Sequence, residues 1–277
     1  MAAAEPRGMK ATFIERTLAS LTSTAEYAAR AELMAAEGGV LQRIDPRVKV
    51  AGMLALVIVV AASHSLAAIG AIFIAAMVLA VLSRVSLARI AVWIWGPALF
   101  FTGTIAIPAV FLTPGPPLMS WGSVAITVTG LRSAAFLIAR AETAATLSGL
   151  MVLTTPWPHV LKALRTFRFP MVFVAILGMT YRYLFVMLQT AFEMFESRKS
   201  RTVGELSPPE RRRLAASAAG VLLSKSIHLS GDVHLAMQSR GFRGEVYLID
   251  EFQATAADWG WAAGFCAFAA AALWWGR

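Results

Sequence analysis

From residue 50 to residue 83 the chain carries no Asp, Glu, Lys or Arg, and from residue 90 to residue 131 it again carries none. Charge-free runs of this length mark an integral membrane protein. Hydrocarbon offers no water to an unpaired backbone N–H or C=O, so a crossing segment closes its own hydrogen bonds as a helix. The first run, 34 residues long, exceeds one span of about 20. Ser63-His64-Ser65 is its natural break, which predicts two short spans, 49–63 and 66–82, in a tight hairpin. Composition agrees: 58% of the residues are hydrophobic and mean hydropathy is +0.65, where a soluble domain is about 45–50% apolar. The fold class expected is all-α integral membrane, with about five transmembrane helices and long cytoplasmic helices besides.

Charge gives the orientation. Lys49 and Arg84 fall on the same side of the first hairpin, which the positive-inside rule makes cytoplasmic. A third span over 90–112 has Trp93 and Trp95 near its inner edge and can kink at Pro97 and Pro108. Thr113-Pro114-Gly115-Pro116-Pro117 cannot continue a helix. The outer loop that follows runs to Gly130 without Lys or Arg. A fourth span, 133–155, returns and stops at Thr155-Pro156-Trp157-Pro158. Residues 160–169 set Lys162, Arg165 and Arg168 among Leu161, Leu164 and Phe167, as a helix lying on the inner face would. The last span, 255–275, has Trp259 and Trp261 at one end and Trp274 and Trp275 at the other, like interfacial belts. The C-terminus is then outside and the N-terminus cytoplasmic, in the inner (cytoplasmic) membrane of the cell.

The net charge of +9, from 25 Lys+Arg against 16 Asp+Glu, suits loops facing anionic headgroups of the lipid bilayer. No aromatic-basic pattern accompanies it, so nucleic acid is not expected as a partner. Residues 1–40 lack the continuous apolar core of a signal peptide, and 11–36 read as an amphipathic interfacial helix or a solvated arm. Asp45-Pro46-Arg47 is a helix start, with Asp as cap and Pro at the first position. Four segments follow: 1–44 N-terminal and interfacial, 45–155 a four-span membrane region, 156–244 a cytoplasmic helical region, and 245–277 a C-terminal span.

Residues 169–244 organise the rest. They read as two helices, each roughly 45 Å long at 1.5 Å per residue, joined by a turn at 204–209. Ser207-Pro208-Pro209-Glu210 starts the second helix, and Ser239-Arg240-Gly241 stops it. Residues 169–188 have the hydropathy of a fifth span. A span there would put Arg198, Lys199, Arg201, Arg211, Arg212, Arg213, Lys225, Arg240 and Arg243 outside and would bury Arg182, against the positive-inside rule. The segment is therefore assigned to the inner leaflet, entering obliquely and emerging as a cytoplasmic helix. At 100° per residue, Leu184, Met187, Ala191 and Met194 share the face of Arg198, and Leu222, Leu229, Val233 and Ala236 share that of Arg240. Each Arg thus ends an apolar stripe. One reading is a cation that satisfies a helix C-terminus; the other is a paired docking surface.

Arg140 and Glu142 lie within the fourth span, where ionisable groups are functional candidates. Two residues apart, they do not face each other, so other helices or a partner subunit are their expected contacts. His228 and His234 are six apart, not the three or four that puts two ligands on one face, and Cys266 is the single cysteine. There is no Gly-x4-Gly-Lys-Ser/Thr phosphate loop and no assembled catalytic cluster. Two other classes stay open: a membrane-embedded enzyme using Arg140, Glu142 and Arg182 on a lipid substrate, and a self-contained secondary transporter, which lacks an internal repeat here.

Leu41-Gln42-Arg43-Ile44-Asp45-Pro46-Arg47-Val48-Lys49 resembles the lead-in to the first span of the transmembrane T component of energy-coupling-factor (ECF) transporters. Leu153-Thr154-Thr155-Pro156 and Met179-Thr180-Tyr181-Arg182-Tyr183-Leu184-Phe185 are similar to its cobalt-type, CbiQ-like branch. Glu196-Ser197-Arg198-Lys199 and Met237-Gln238-Ser239-Arg240-Gly241-Phe242 fall where that family carries two Ala-Arg-Gly motifs. Ser197 and Ser239 stand in place of Ala, Lys199 in place of the first Gly, and Gly241 matches the second. The resemblance covers about 41–244. It implies a scaffold that couples ATP-driven closure of two ABC-type ATPase subunits to a separate, CbiM-like, substrate-binding membrane subunit, with a small accessory membrane subunit as an optional member. It implies that Arg198 docks one ATPase and Arg240 the other. ATP and Mg would sit on the ATPase, Co2+ or Ni2+ on the membrane partner, and this chain would bind neither metal nor cofactor and would not be an enzyme.

Overall fold

The computed structural model describes residues 13–36, 38–114, 116–121, 124–202, 206–242 and 256–276. In chain order the described helices and strands are α1 Phe13–Ala36, α2 Val40–Arg43, α3 Pro46–Ala62, α4 Leu66–Leu82, α5 Leu87–Ile90, a π-helical turn Ala91–Trp95, α6 Gly96–Leu112, β1 Pro117–Trp121, β2 Val124–Thr127, α7 Val128–Thr154, α8 Trp157–Thr166, α9 Met171–Lys199, α10 Pro208–Ser239 and α11 Ala256–Gly276. They divide into a paired-helix unit, residues 1–31 with 168–249, and a bundle unit, residues 32–167 with 250–277.

In the bundle unit, α3 starts as its sequence predicts. The Asp45 carboxylate accepts the Arg47 N–H at 2.8 Å, and Pro46 occupies the first turn, where its missing N–H costs nothing. Hydrogen bonds between helix ends set the directions. Lys49 Nζ donates to Thr154 O at the end of α7, and Arg140 Nη2 donates to Ser63 O at the end of α3, so α7 runs antiparallel to α3. Asp45 N–H donates to Asp258 Oδ1, and His64 N–H donates to Gly276 O, so α11 runs parallel to α3. Leu41 N–H donates to Ser83 Oγ, bringing the end of α4 to the start of α3. The unit thus has a Lys49 end and a His64 end. Lys49, Arg84 and α8 lie at the first; the 63–65 turn, the loop before α7 and the end of α11 lie at the second. That is the alternation expected from the charges.

Leu87–Leu112, Val128–Thr154, Met171–Lys199 and Ala256–Gly276 are each long and apolar enough to cross a membrane, and Leu66–Leu82 is a shorter apolar helix. The chain is a multi-pass, overwhelmingly helical membrane protein. Along the third span, the turn before Pro97 is widened. With no N–H at Pro97, the helix closes Gly96 N–H onto Ala91 O, five residues back, as a π-turn does. The loop before α7 holds a two-stranded antiparallel hairpin, β1 with β2. Apolar exposure is heavy on the third span, at Trp93, Phe100, Phe101 and Ile105, as a lipid-facing wall requires.

In the paired-helix unit, α9 and α10 run antiparallel. Ile14, Phe195 and Ala218 bury one another where α1 joins them, and Lys225 Nζ donates to Thr190 Oγ1 at 3.0 Å. Toward the start of α9 and the end of α10 the helices part around a cleft of about 520 Å³ walled by Met179, Tyr183, Met187, Leu229, Val233 and Met237. α9 is one uninterrupted 29-residue rod. By length and composition it qualifies as a span, and only the charge argument stands against that. The start of α10 is locked by Glu210, whose Oε2 accepts from Ser207 Oγ at 2.7 Å and Ser207 N at 2.8 Å. The Ser207 hydroxyl first, and its N–H second, hold the Glu210 carboxyl below its ordinary range.

Candidate functional site

Arg198 and Arg240 close their helices as the sequence places them. α10 ends in a Schellman motif: Phe242 N–H donates to Met237 O at 3.0 Å, Gly241 N–H to Gln238 O at 2.9 Å, and Gly241 takes φ +79°, the left-handed geometry that glycine adopts without strain. Arg240 precedes it, exposed. Ser239 turns its hydroxyl back onto Ala236 O, and the Ser197 carbonyl accepts from Ser200 Oγ. Arg198 is exposed as well, and among the described residues neither guanidinium has an ion-pair partner. Because α9 and α10 are antiparallel, the two arginines stand at opposite ends of the pair.

The apolar stripes below them behave differently from the sequence reading. Ala191 is buried, and Met187, Met194, Leu222, Leu229 and Val233 are half-buried; Leu184 and Ala236 are exposed. Two amphipathic helices in one hairpin cover each other's apolar faces first, so much of each stripe is used inside the unit. The arginine tips remain free. Lys199, which stands in place of a family glycine, reaches Glu15 Oε1 of α1 at 3.3 Å; both partners are well exposed, and such a pair contributes little stability.

Arg140 and Glu142 make separate contacts. Arg140 bonds the Ser63 carbonyl and lies over the Phe136 ring at 5.5 Å, with Arg132 at 5.7 Å from the same ring. It therefore serves the negative end of α3 rather than Glu142. Glu142 is 9% exposed, and both of its carboxylate oxygens are buried with no hydrogen-bond partner among the described residues. Its backbone carbonyl accepts from Thr146 Oγ1, and that hydroxyl accepts the Trp95 indole N–H at 2.9 Å. The π-turn aims Trp95 into this position. A buried carboxylate without a donor opposes folding. Glu142→Leu is therefore expected to stabilise the protein by about 1 kcal/mol or more in detergent, seen as a higher Tm. A lower Tm would show that Glu142 has a structural partner. Arg182 lies exposed on α9, in the paired-helix unit.

One residue that the sequence reading used only for orientation is central to the bundle. Lys49 is 1% exposed, and its Nζ donates at 2.8 Å to both Leu41 O and Thr154 O. A cation at the C-terminal carbonyl of α7 also meets the negative end of that helix. The Leu41–Lys49 motif folds into a knot: Leu41 N–H and Gln42 Nε2 hold Ser83, Asp45 holds Arg47 and α11, and Lys49 holds α7. The available signal was a lysine one residue before a charge-free run, where solvent is a poor explanation for it.

Comparison with known proteins follows the same residues. A family model described as CbiQ, cobalt transport protein, matches residues 37–248. An uncharacterized protein of Methanocaldococcus jannaschii is 31% identical over 213 residues, 75% of this chain and 73% of that protein. The cobalt transport protein CbiQ of Rhodobacter capsulatus is 26% identical over 160 residues, 55% of this chain and 64% of that protein.

Proposed function

This chain belongs to the CbiQ cobalt transport protein family, a component of membrane transport rather than an enzyme, and from that premise we propose that it is the coupling scaffold of an ECF-type importer for cobalt or nickel. The observation that carries the proposal is the pair of exposed arginines, Arg198 and Arg240, without an ion-pair partner among the described residues, at opposite ends of two antiparallel helices. A guanidinium has five donors in a planar fork and is the usual choice for a desolvated interface anchor. Two ABC-type ATPase subunits, one at each tip, would close on binding ATP and Mg. The rods would turn about their contact at Thr190–Lys225 and Phe195–Ala218 and pass the movement to a CbiM-like membrane subunit that holds the metal ion. A small accessory membrane subunit fits the same scheme.

On this reading the chain has no transport activity by itself. Reconstituted alone in liposomes, it is expected to take up no Co2+ or Ni2+; with the ATPase and the metal-binding membrane subunit added, uptake should appear and require ATP. Uptake of either ion by the isolated chain would point to a secondary transporter instead.

A further inference from the structure

Two helices of this protein end in the same Schellman motif with different residues at the left-handed position. In α10 that residue is Gly241, φ +79°. In α4 the motif is formed by Val85 N–H to Ala80 O and Arg84 N–H to Val81 O, both 3.0 Å, and the left-handed residue is Arg84, φ +56°. An L-residue with a long side chain is strained there, and glycine is the usual occupant. The Arg84 side chain gives nothing back to the fold: it is exposed and has no bonding partner among the described residues.

Arg84 is not isolated. Leu41 N–H and Gln42 Nε2 bond Ser83, so α2 is pinned beside the end of α4; Arg43 is the residue after Gln42, and Arg84 the residue after Ser83. Arg43 is exposed and also has no bonding partner among the described residues. Arg89 follows on α5, exposed. Across residues 38–114 Asp45 is the single carboxylate; it is buried and occupied by its own helix cap. Among the described residues, neither Arg43 nor Arg84 has an ion-pair partner at the Lys49 end of the bundle unit.

We propose that Arg43 and Arg84 form a binding site for the phosphate of an anionic phospholipid headgroup at the Lys49 end of the bundle. The occupant is a lipid because the site crowns apolar helices. Leu82 and Val81 are exposed immediately before Arg84, so acyl chains lie along α4 where the phosphate meets the arginines. A guanidinium takes a phosphate by two parallel N–H donors, and two such groups on pinned backbone need little reorganisation. This site is independent of the coupling role proposed for Arg198 and Arg240.

The test uses the purified full chain in neutral detergent, with phosphatidylglycerol or phosphatidylcholine added, and reads Tm and the lipid retained in native mass spectra. The wild type should retain phosphatidylglycerol preferentially and gain Tm from it. In Arg43→Gln plus Arg84→Gly that preference should fall about fivefold per arginine, roughly thirtyfold for the two. Arg84→Gly alone should hold or raise Tm before lipid is added, because the strain is removed; a merely structural arginine would lower it. Three results would overturn the proposal: an unchanged lipid preference in the double variant, an equal Tm gain from inorganic phosphate, or intact lipid preference with loss of a bound protein subunit.

Discussion

Lys49→Ala should leave the bundle unit at the edge of folding, with a loss of about 5 kcal/mol. Two carbonyls, Leu41 O and Thr154 O, lose a charged donor at 2.8 Å in a site 1% open to solvent. Each buried acceptor left unpaired costs about 1–3 kcal/mol, and the space of a lysine stem in a packed core adds a cavity cost of similar size. Native proteins hold only about 5–15 kcal/mol in reserve, so the purified variant should unfold tens of degrees earlier or fail to accumulate. Lys49→Met separates the causes. It restores the volume but not the bonds and should recover part of the loss, leaving about 3 kcal/mol. A Lys49→Met protein with the Tm of the wild type would mean that the two carbonyls need no cation.

The knot around Lys49 also shows where the sequence was legible and where it was not. Spans and their breaks could be read because they depend on neighbours in the chain. Asp45-Pro46 starts α3, Ser63–Ser65 breaks it from α4, and Thr155-Pro156 ends α7, each by local capping or by a missing N–H. The structure places these boundaries within a few residues of the expected ones. Lys49 could not be read in the same way: its place before a charge-free run signals burial, but its acceptor Thr154 lies 105 residues away. The same holds for Trp95. Pro97 signalled a disturbed helix, but that the disturbance is a π-turn aiming an indole at Thr146 follows from packing between helices.

The paired helices divide along the same line. Helical periodicity gave the faces of α9 and α10, and Gly241 gave the stop. Periodicity cannot say what covers a face, and much of each apolar stripe proves to be covered by the other helix. What survives is the pair of tips. Their arginines follow from position in the helix, and their freedom follows from the absence of any acid within reach among the described residues. Interface arginines of this kind typically cost about 2 kcal/mol or more when truncated, and reversing the charge adds repulsion from whatever acid receives them. Two reversed tips should therefore lose binding by several orders of magnitude, while the fold, which uses neither side chain, stays intact.

The most direct measurement is the recovery of ATPase subunits with the membrane-extracted Arg198→Glu plus Arg240→Glu protein. Scaffold coupling through the tips predicts a variant that inserts in the membrane at normal levels, melts at the wild-type temperature, and carries no ATPase subunit. Stoichiometric ATPase on that double variant would contradict it, since force could not then be passing through these two arginines.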